Sequence, residues 1–133
     1  MAIRYRITKR SNTIANHKKE QFIMQAVSTG TVDVNTISQE ISGECSLSIV
    51  DVKAVLIALG IKLQFHLVDG KIVDLENIGK FKIGFQCKAE DDAGNLTPKR
   101  NIKKYHLNYQ PSIAIKHRLK NGITTYKEGS RSV

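Results

Sequence analysis

The chain has 133 residues, with 21 Lys and Arg against 12 Asp and Glu, a formal charge of +9. That length supports one hydrophobic core and not two, and that charge suits a polyanion, either nucleic acid or an anionic membrane, or else simply keeps the surface solvated. The charge is uneven: residues 1 to 69 hold eight basic and six acidic groups, residues 70 to 133 thirteen and six.

Cys45 and Cys87 stand alone without CxxC spacing, so reduced thiols are expected, and no disulfide framework or zinc site. Met1 to Arg10 alternates apolar with basic residues, unlike a signal peptide. The longest apolar stretch, Ala54 to Leu67, is broken by Gly60, Lys62, Gln64 and His66. A cytoplasmic chain that does not enter a membrane is expected.

Ile3, Tyr5 and Ile7 alternate with Arg4, Arg6 and Thr8, which is the period of a half-buried strand. Arg10 to Lys19 is polar and reads as a loop, and Phe22 to Val27 as a second strand able to pair with the first. Asp33 or Asn35 can cap a helix running to about Gly43, with Val34, Ile37 and Ile41 on one stripe. A longer helix is expected from Ile49 to Val68. Ser48 and Asp51 form a capping-box-like pair at its start, and Asp69-Gly70 closes it.

This second helix is apolar round most of its circumference, through Val52, Val55, Leu56, Leu59, Leu63 and Leu67, with Ile57, Ile61, Phe65 and Val68 beside them. One short helix and a small sheet cannot cover it, so a second copy of the chain is expected to, with Gly60 at a close crossing. Ile72, Val73 and Leu75 then read as a short strand, Asn77 and Gly79 as a corner with left-handed backbone, and Lys80–Phe81 as the resuming chain.

Ile83, Phe85 and Cys87 alternate in an outgoing strand, Glu90 to Thr97 forms a polar tip, and Ile102 to Tyr109 returns as the partner of a long hairpin. Ser112 can cap a last helix through Ile115 and Leu119 to Asn121, with Gly122 as its stop. Residues 123 to 133 lack periodicity and read as a flexible tail.

The corner Val73-x-Leu75-x-Asn77-Ile78-Gly79-x-Phe81 resembles the Val-x-Leu-x-Gly-(Phe/Leu)-Gly-x-Phe signature of the histone-like HU and integration-host-factor family, with Asn77 for the first glycine. Tyr109-Gln110-Pro111-Ser112-x-x-Ile115-Lys116 resembles the same family's Phe-x-Pro-Gly-x-x-Leu-Lys segment before its last helix. MAIRYRITKR and QAVSTGTVDV are similar to the N-terminal extension of the HU-like proteins of Bacteroidetes.

The resemblance implies an α+β fold: an HU-like intertwined dimer with two N-terminal helices, an antiparallel sheet with a β-arm hairpin and a short C-terminal helix. The expected organisation is a β extension over 1–30, a DNA-binding domain over 31–122 and the tail over 123–133. It further implies a bacterial, nucleoid-associated homodimer that holds double-stranded DNA through its arms. The basic groups placed for that role are Lys80, Lys82 and Lys88 on the outgoing side, Lys99, Arg100, Lys103 and Lys104 on the returning strand, and Lys116, Arg118 and Lys120 on the last helix.

The arm departs from the family pattern. Its tip carries Glu90, Asp91 and Asp92, and Pro98 lies beyond the tip's middle, so strong kinking by an intercalated proline is not expected. His17, His66, His106 and His117 are scattered and no nucleophile or phosphate-loop motif occurs, so neither an enzyme nor a cofactor nor a small-molecule substrate is expected. Two readings stand: an architectural DNA-binding protein of low sequence specificity, favoured by the charge, and an HU-like dimeric scaffold that has lost strong DNA binding, favoured by the acids at the tip.

Overall fold

The computed structural model describes residues 2–11 and 20–129. The chain divides into two compact units, one of residues 1–33 with 118–133 and one of residues 34–117. Among the described residues no helix is long and apolar enough to cross a membrane.

The first unit is a three-stranded sheet in the order β2-β1-β6. β1 (Ile3–Ser11) pairs antiparallel with β2 (Glu20–Val27), as the alternation predicts, from Arg4 opposite Val27 to Ser11 opposite Glu20. Arg10 and Ser11 thus continue the strand where a loop is expected; the rest of that loop, 12–19, lies outside the described residues.

The expected flexible tail also needs correction. Thr125–Lys127 form β6, parallel to β1, and Glu128 follows it with its backbone N–H on the Tyr5 carbonyl at 2.9 Å. The carboxylate of Glu128 meets the Arg6 guanidinium through two bonds of 2.9 and 3.1 Å. A three-residue strand whose partner lies at the other end of the chain leaves no periodic trace in sequence.

The second unit begins with α1 (Val34–Glu44) and α2 (Ile49–Val68). Gly43 does not end α1, which keeps helical backbone through Glu44. α2 starts as its cap predicts, with Ser48 Oγ accepting from the Asp51 N–H at 3.2 Å, and Gly70 takes a left-handed φ of +82° after its last turn. β3 is only Val73–Asp74, and it pairs with the start of β4 (Gly79–Cys87).

In the corner between them the left-handed residue is Glu76 at φ +40°, not Asn77. The reason is local: Asp74 Oδ1 accepts the Glu76 N–H at 3.0 Å, and the Ile78 N–H reaches the Leu75 carbonyl at 2.9 Å, which sets the turn one residue earlier. Gly79 is needed where the motif has it, at φ +139°. β4 then pairs along its length with β5 (Ile102–Pro111).

The hairpin tip is folded rather than open. A 3₁₀ turn over Ala93–Asn95 and a one-turn helix α3 (Pro98–Asn101) fill it. Lys99 and Arg100 therefore sit on α3 and not on the returning strand. α4 (Ile113–Asn121) follows β5, with Ser112 Oγ accepting from the Ile115 N–H at 3.2 Å as expected of a cap.

Apolar burial within the chain is slight. Val52 and Leu67 of α2 are the buried hydrophobic residues among those described, while Phe65 is 66% exposed and Val68 82%.

Candidate nucleic-acid interface

The β4–β5 register sorts the hairpin into two faces, because residues directly opposite in an antiparallel pair point the same way. Phe81 faces Tyr109, Ile83 faces Leu107 and Phe85 faces Tyr105, which makes one face apolar. Its rings meet across the strands, Phe81 on Tyr109 at 5.0 Å and Phe85 on Tyr105 at 6.0 Å between centroids. Lys80 faces Gln110, Lys82 faces Asn108, Gly84 faces His106 and Gln86 faces Lys104, which makes the other face polar and cationic. From Lys80 to the Gln86–Lys104 pair this face runs about 20 Å at the usual strand rise.

Three of the ten basic residues named from the sequence, Lys80, Lys82 and Lys104, are thus brought together on one exposed face. Gly84 makes room on it: a Cβ there would lie 2.7 Å from His106 Nε2, so the absent side chain lets the imidazole lie across the ribbon. Gln86, His106, Asn108 and Gln110 are contributors that charge alone does not reveal. Their signal is the alternation of Lys104, His106, Asn108 and Gln110 at every second position.

The other basic residues are placed differently. Lys103 is the extra residue of a β-bulge, since the register passes from Gln86 opposite Lys104 to Cys87 opposite Ile102. Lys88 follows β4, its backbone N–H bonded to the Asn101 carbonyl at 2.7 Å. Lys99 is exposed on α3. Arg100 is turned into the tip, with Nε donating to Thr97 Oγ1 at 3.2 Å and Nη2 to the Asn95 carbonyl at 3.3 Å. On α4, Lys116 and Lys120 are one turn apart and share a face, whereas Arg118, two residues from each, points to the other side.

Asn101 explains the tip's shape and part of its acidity. It is 2% exposed, its Oδ1 accepts the Thr97 N–H at 2.9 Å, and its Nδ2 donates to the Lys88 carbonyl at 3.0 Å and to Glu90 Oε1 at 3.2 Å. Asp92 Oδ1 accepts the Gly94 N–H at 3.1 Å and so caps the 3₁₀ turn. Two of the three tip carboxylates are therefore engaged in holding the loop. Pro98 occupies the first turn of α3, where its missing N–H costs nothing.

A concavity of about 420 Å³ lies where the corner meets the start of α4, lined by Asp74, Glu76, Lys80, Gln110, Ser112 and Lys116 among others. Its mixed charges give no net preference for an anion. Among the described residues no three His, Cys, Asp or Glu side chains cluster as metal ligands do.

Residues 1–127 match the model of a family described as HU-HIG, an HU domain fused to wHTH, Ig, or glycine-rich motif. No curated protein matches the chain. A solved structure of a candidate bacterial DNA-binding protein from Bacteroides vulgatus ATCC 8482 has a similar fold, with a TM-score of 0.62 at 11% sequence identity. The likeness covers 98% of this chain and 50% of that one, so the chain spans about half the length of that relative.

Proposed function

The chain belongs to the HU-HIG family, and on that premise we propose that it is an architectural DNA-binding protein that holds the phosphates of double-stranded DNA with little sequence preference. The observation that carries this reading is the polar face of the hairpin, with Lys80, Lys82 and Lys104 in register among neutral hydrogen-bonding side chains of β4 and β5, and one carboxylate, Asp74 of β3, beside Lys80. Lysine is a point charge without the planar fork that reads a base edge in two places, so such a face suits backbone phosphates rather than bases. Lys88, Lys99 and Lys103 add charge around the bulge and the tip.

The molecule acts as a homodimer in this reading. A second copy would cover the exposed apolar surface of α2, including Val50, Val55, Ile61, Phe65 and Val68. Any bending of DNA is modest, since Pro98 is built into a helix and offers no free wedge.

Fluorescence anisotropy of a labelled duplex at several salt concentrations tests the proposal. Binding should fall steeply with salt and vary little between unrelated sequences. Changing Lys80, Lys82 and Lys104 to glutamine should lower the log–log slope by about 0.9 for each phosphate no longer neutralised. A wild type that does not bind even at low salt would defeat the reading. The scaffold alternative, for which the carboxylates of the tip speak, would then replace it.

A further inference from the structure

Along the chain the basic excess belongs to the second half; by folded unit it belongs elsewhere. Residues 34–117, which include the whole hairpin, hold eleven Lys and Arg against nine Asp and Glu, a formal charge of +2. Residues 1–33 with 118–133 hold ten against three, and the described residues among them hold seven against three, a formal charge of +4 on a much smaller unit. The attraction of a polyanion at a distance follows the net field of the surface it approaches, and acids close to the hairpin lysines reduce theirs.

The sheet of the terminal unit also has the geometry to use that charge. Arg4, Arg6, Thr8 and Arg10 lie on one face of β1, opposite Val27, Gln25, Ile23 and Gln21 of β2. The other face carries Ile3, Tyr5, Ile7, Phe22 and Met24. Arg4 and Arg6 are two residues apart and therefore about 6.7 Å apart along the strand, with Arg10 about 13 Å beyond Arg6. β1 is paired with β2 from Arg4 to Ser11 and with β6 from Ile3 to Tyr5, so its arginines are carried on a hydrogen-bonded frame. Arg4 is turned to the backbone, its Nη2 donating to the Ser28 carbonyl at 2.8 Å, whereas the exposed Arg6 and Arg10 can each bind a phosphate in two places, which the hairpin lysines cannot.

Glu128 already uses the Arg6 fork in that way, through bonds of 2.9 and 3.1 Å on an exposed surface. An incoming phosphate would compete with this carboxylate for the same donors.

We propose that the arginine face of β1, in the β2-β1-β6 sheet, is a second phosphate-binding surface for DNA beside that of the hairpin. The inference rests on the DNA-binding reading above. Its tests use the full chain and the same duplex, measured across a range of salt.

Arg6→Gln with Arg10→Gln should weaken binding several-fold and lower the log–log slope by about 0.9 for each phosphate that the surface ceases to neutralise. Glu128→Gln should strengthen binding by several-fold and steepen the slope by freeing Arg6, and Arg6→Gln in that background should remove the gain. If the arginine variant binds as the wild type does while the hairpin variant loses its slope, the inference is overturned and the DNA-binding reading survives. A gain from Glu128→Gln that persists without Arg6, or no gain at all, also overturns it. If wild type does not bind DNA, the functional reading itself has failed.

Discussion

Replacing Gly79 with alanine is expected to be the most destabilising single methyl that can be added to the hairpin. Gly79 has φ +139°, and a Cβ built on it would fall on the backbone carbonyl oxygen of Gln110 and 2.7 Å from Tyr109 Cε2. The ring has little freedom to withdraw, because Tyr109 Oη donates to the Ile78 carbonyl at 2.6 Å and the ring packs on Phe81. The Gln110 carbonyl belongs to the ladder pairing Lys80 with Gln110 and cannot rotate away.

Backbone strain of about 1–3 kcal/mol and overpacking of about 1–3 kcal/mol together give roughly 2–6 kcal/mol, a large part of the 5–15 kcal/mol typical of a domain. Urea denaturation followed by circular dichroism measures the loss. Gly70→Ala is the control: its φ is +82° but a Cβ there meets nothing within 4 Å, so it carries the backbone strain alone. If Gly79→Ala unfolds within about 0.5 kcal/mol of wild type, or costs no more than Gly70→Ala, the steric argument is wrong.

Asn101→Ala should loosen the tip, leaving the Thr97 N–H without its side-chain partner at roughly 1–3 kcal/mol; hydrogen exchange should quicken over residues 88–101, and unchanged protection there would contradict it. Gly60→Ala separates a lone chain from a helix crossing. A Cβ at Gly60 meets nothing within the chain, so the substitution should stabilise a monomer by about 1 kcal/mol but weaken a dimer packed closely at that point. Sedimentation over a range of concentrations is expected to show the weakened dimer, and an unaltered dissociation constant would remove the crossing from Gly60.

The Arg6–Glu128 pair predicts a pH dependence. The hydrogen bonds from Arg6 hold the Glu128 carboxyl below its ordinary value, and Glu128 in turn raises Arg6, which stays charged throughout. A lowered carboxyl contributes above its unfolded pKa and loses that contribution as pH falls through the folded one. Amide protection of Thr125–Lys127 should therefore be full at neutral pH and decline below the usual carboxylate range. An equal acid decline in Glu128→Gln would show that the pair is not responsible.

Much of the second unit could be read locally. Ser48 and Ser112 announce helix starts because such a cap is a bond between a side chain and backbone a few residues away, Gly70 announces a helix end because it takes left-handed backbone, and the alternation of β4 and β5 follows from the two-residue period of a strand. The corner motif placed Gly79 correctly but not the left-handed residue before it, since the side chain of Asp74 moved the turn to Glu76. The lysines of the candidate site were visible as charges. Their division among a shared sheet face, a bulge and a capped tip was not, because register is decided by which residue of the opposite strand is paired, a quantity absent from either strand alone.

Sequence by itself determined the residues that could form helices, strands and caps, the unpartnered apolar surface of α2 and the total charge. Tertiary structure decided where that charge gathers. By pairing Thr125–Lys127 with β1 it joins two chain ends more than a hundred residues apart into one strongly basic sheet. The hairpin keeps its own lysines in the company of their acids. Such pairing depends on backbone hydrogen bonds that any residue other than proline can donate, and so the sequence carries no mark of it.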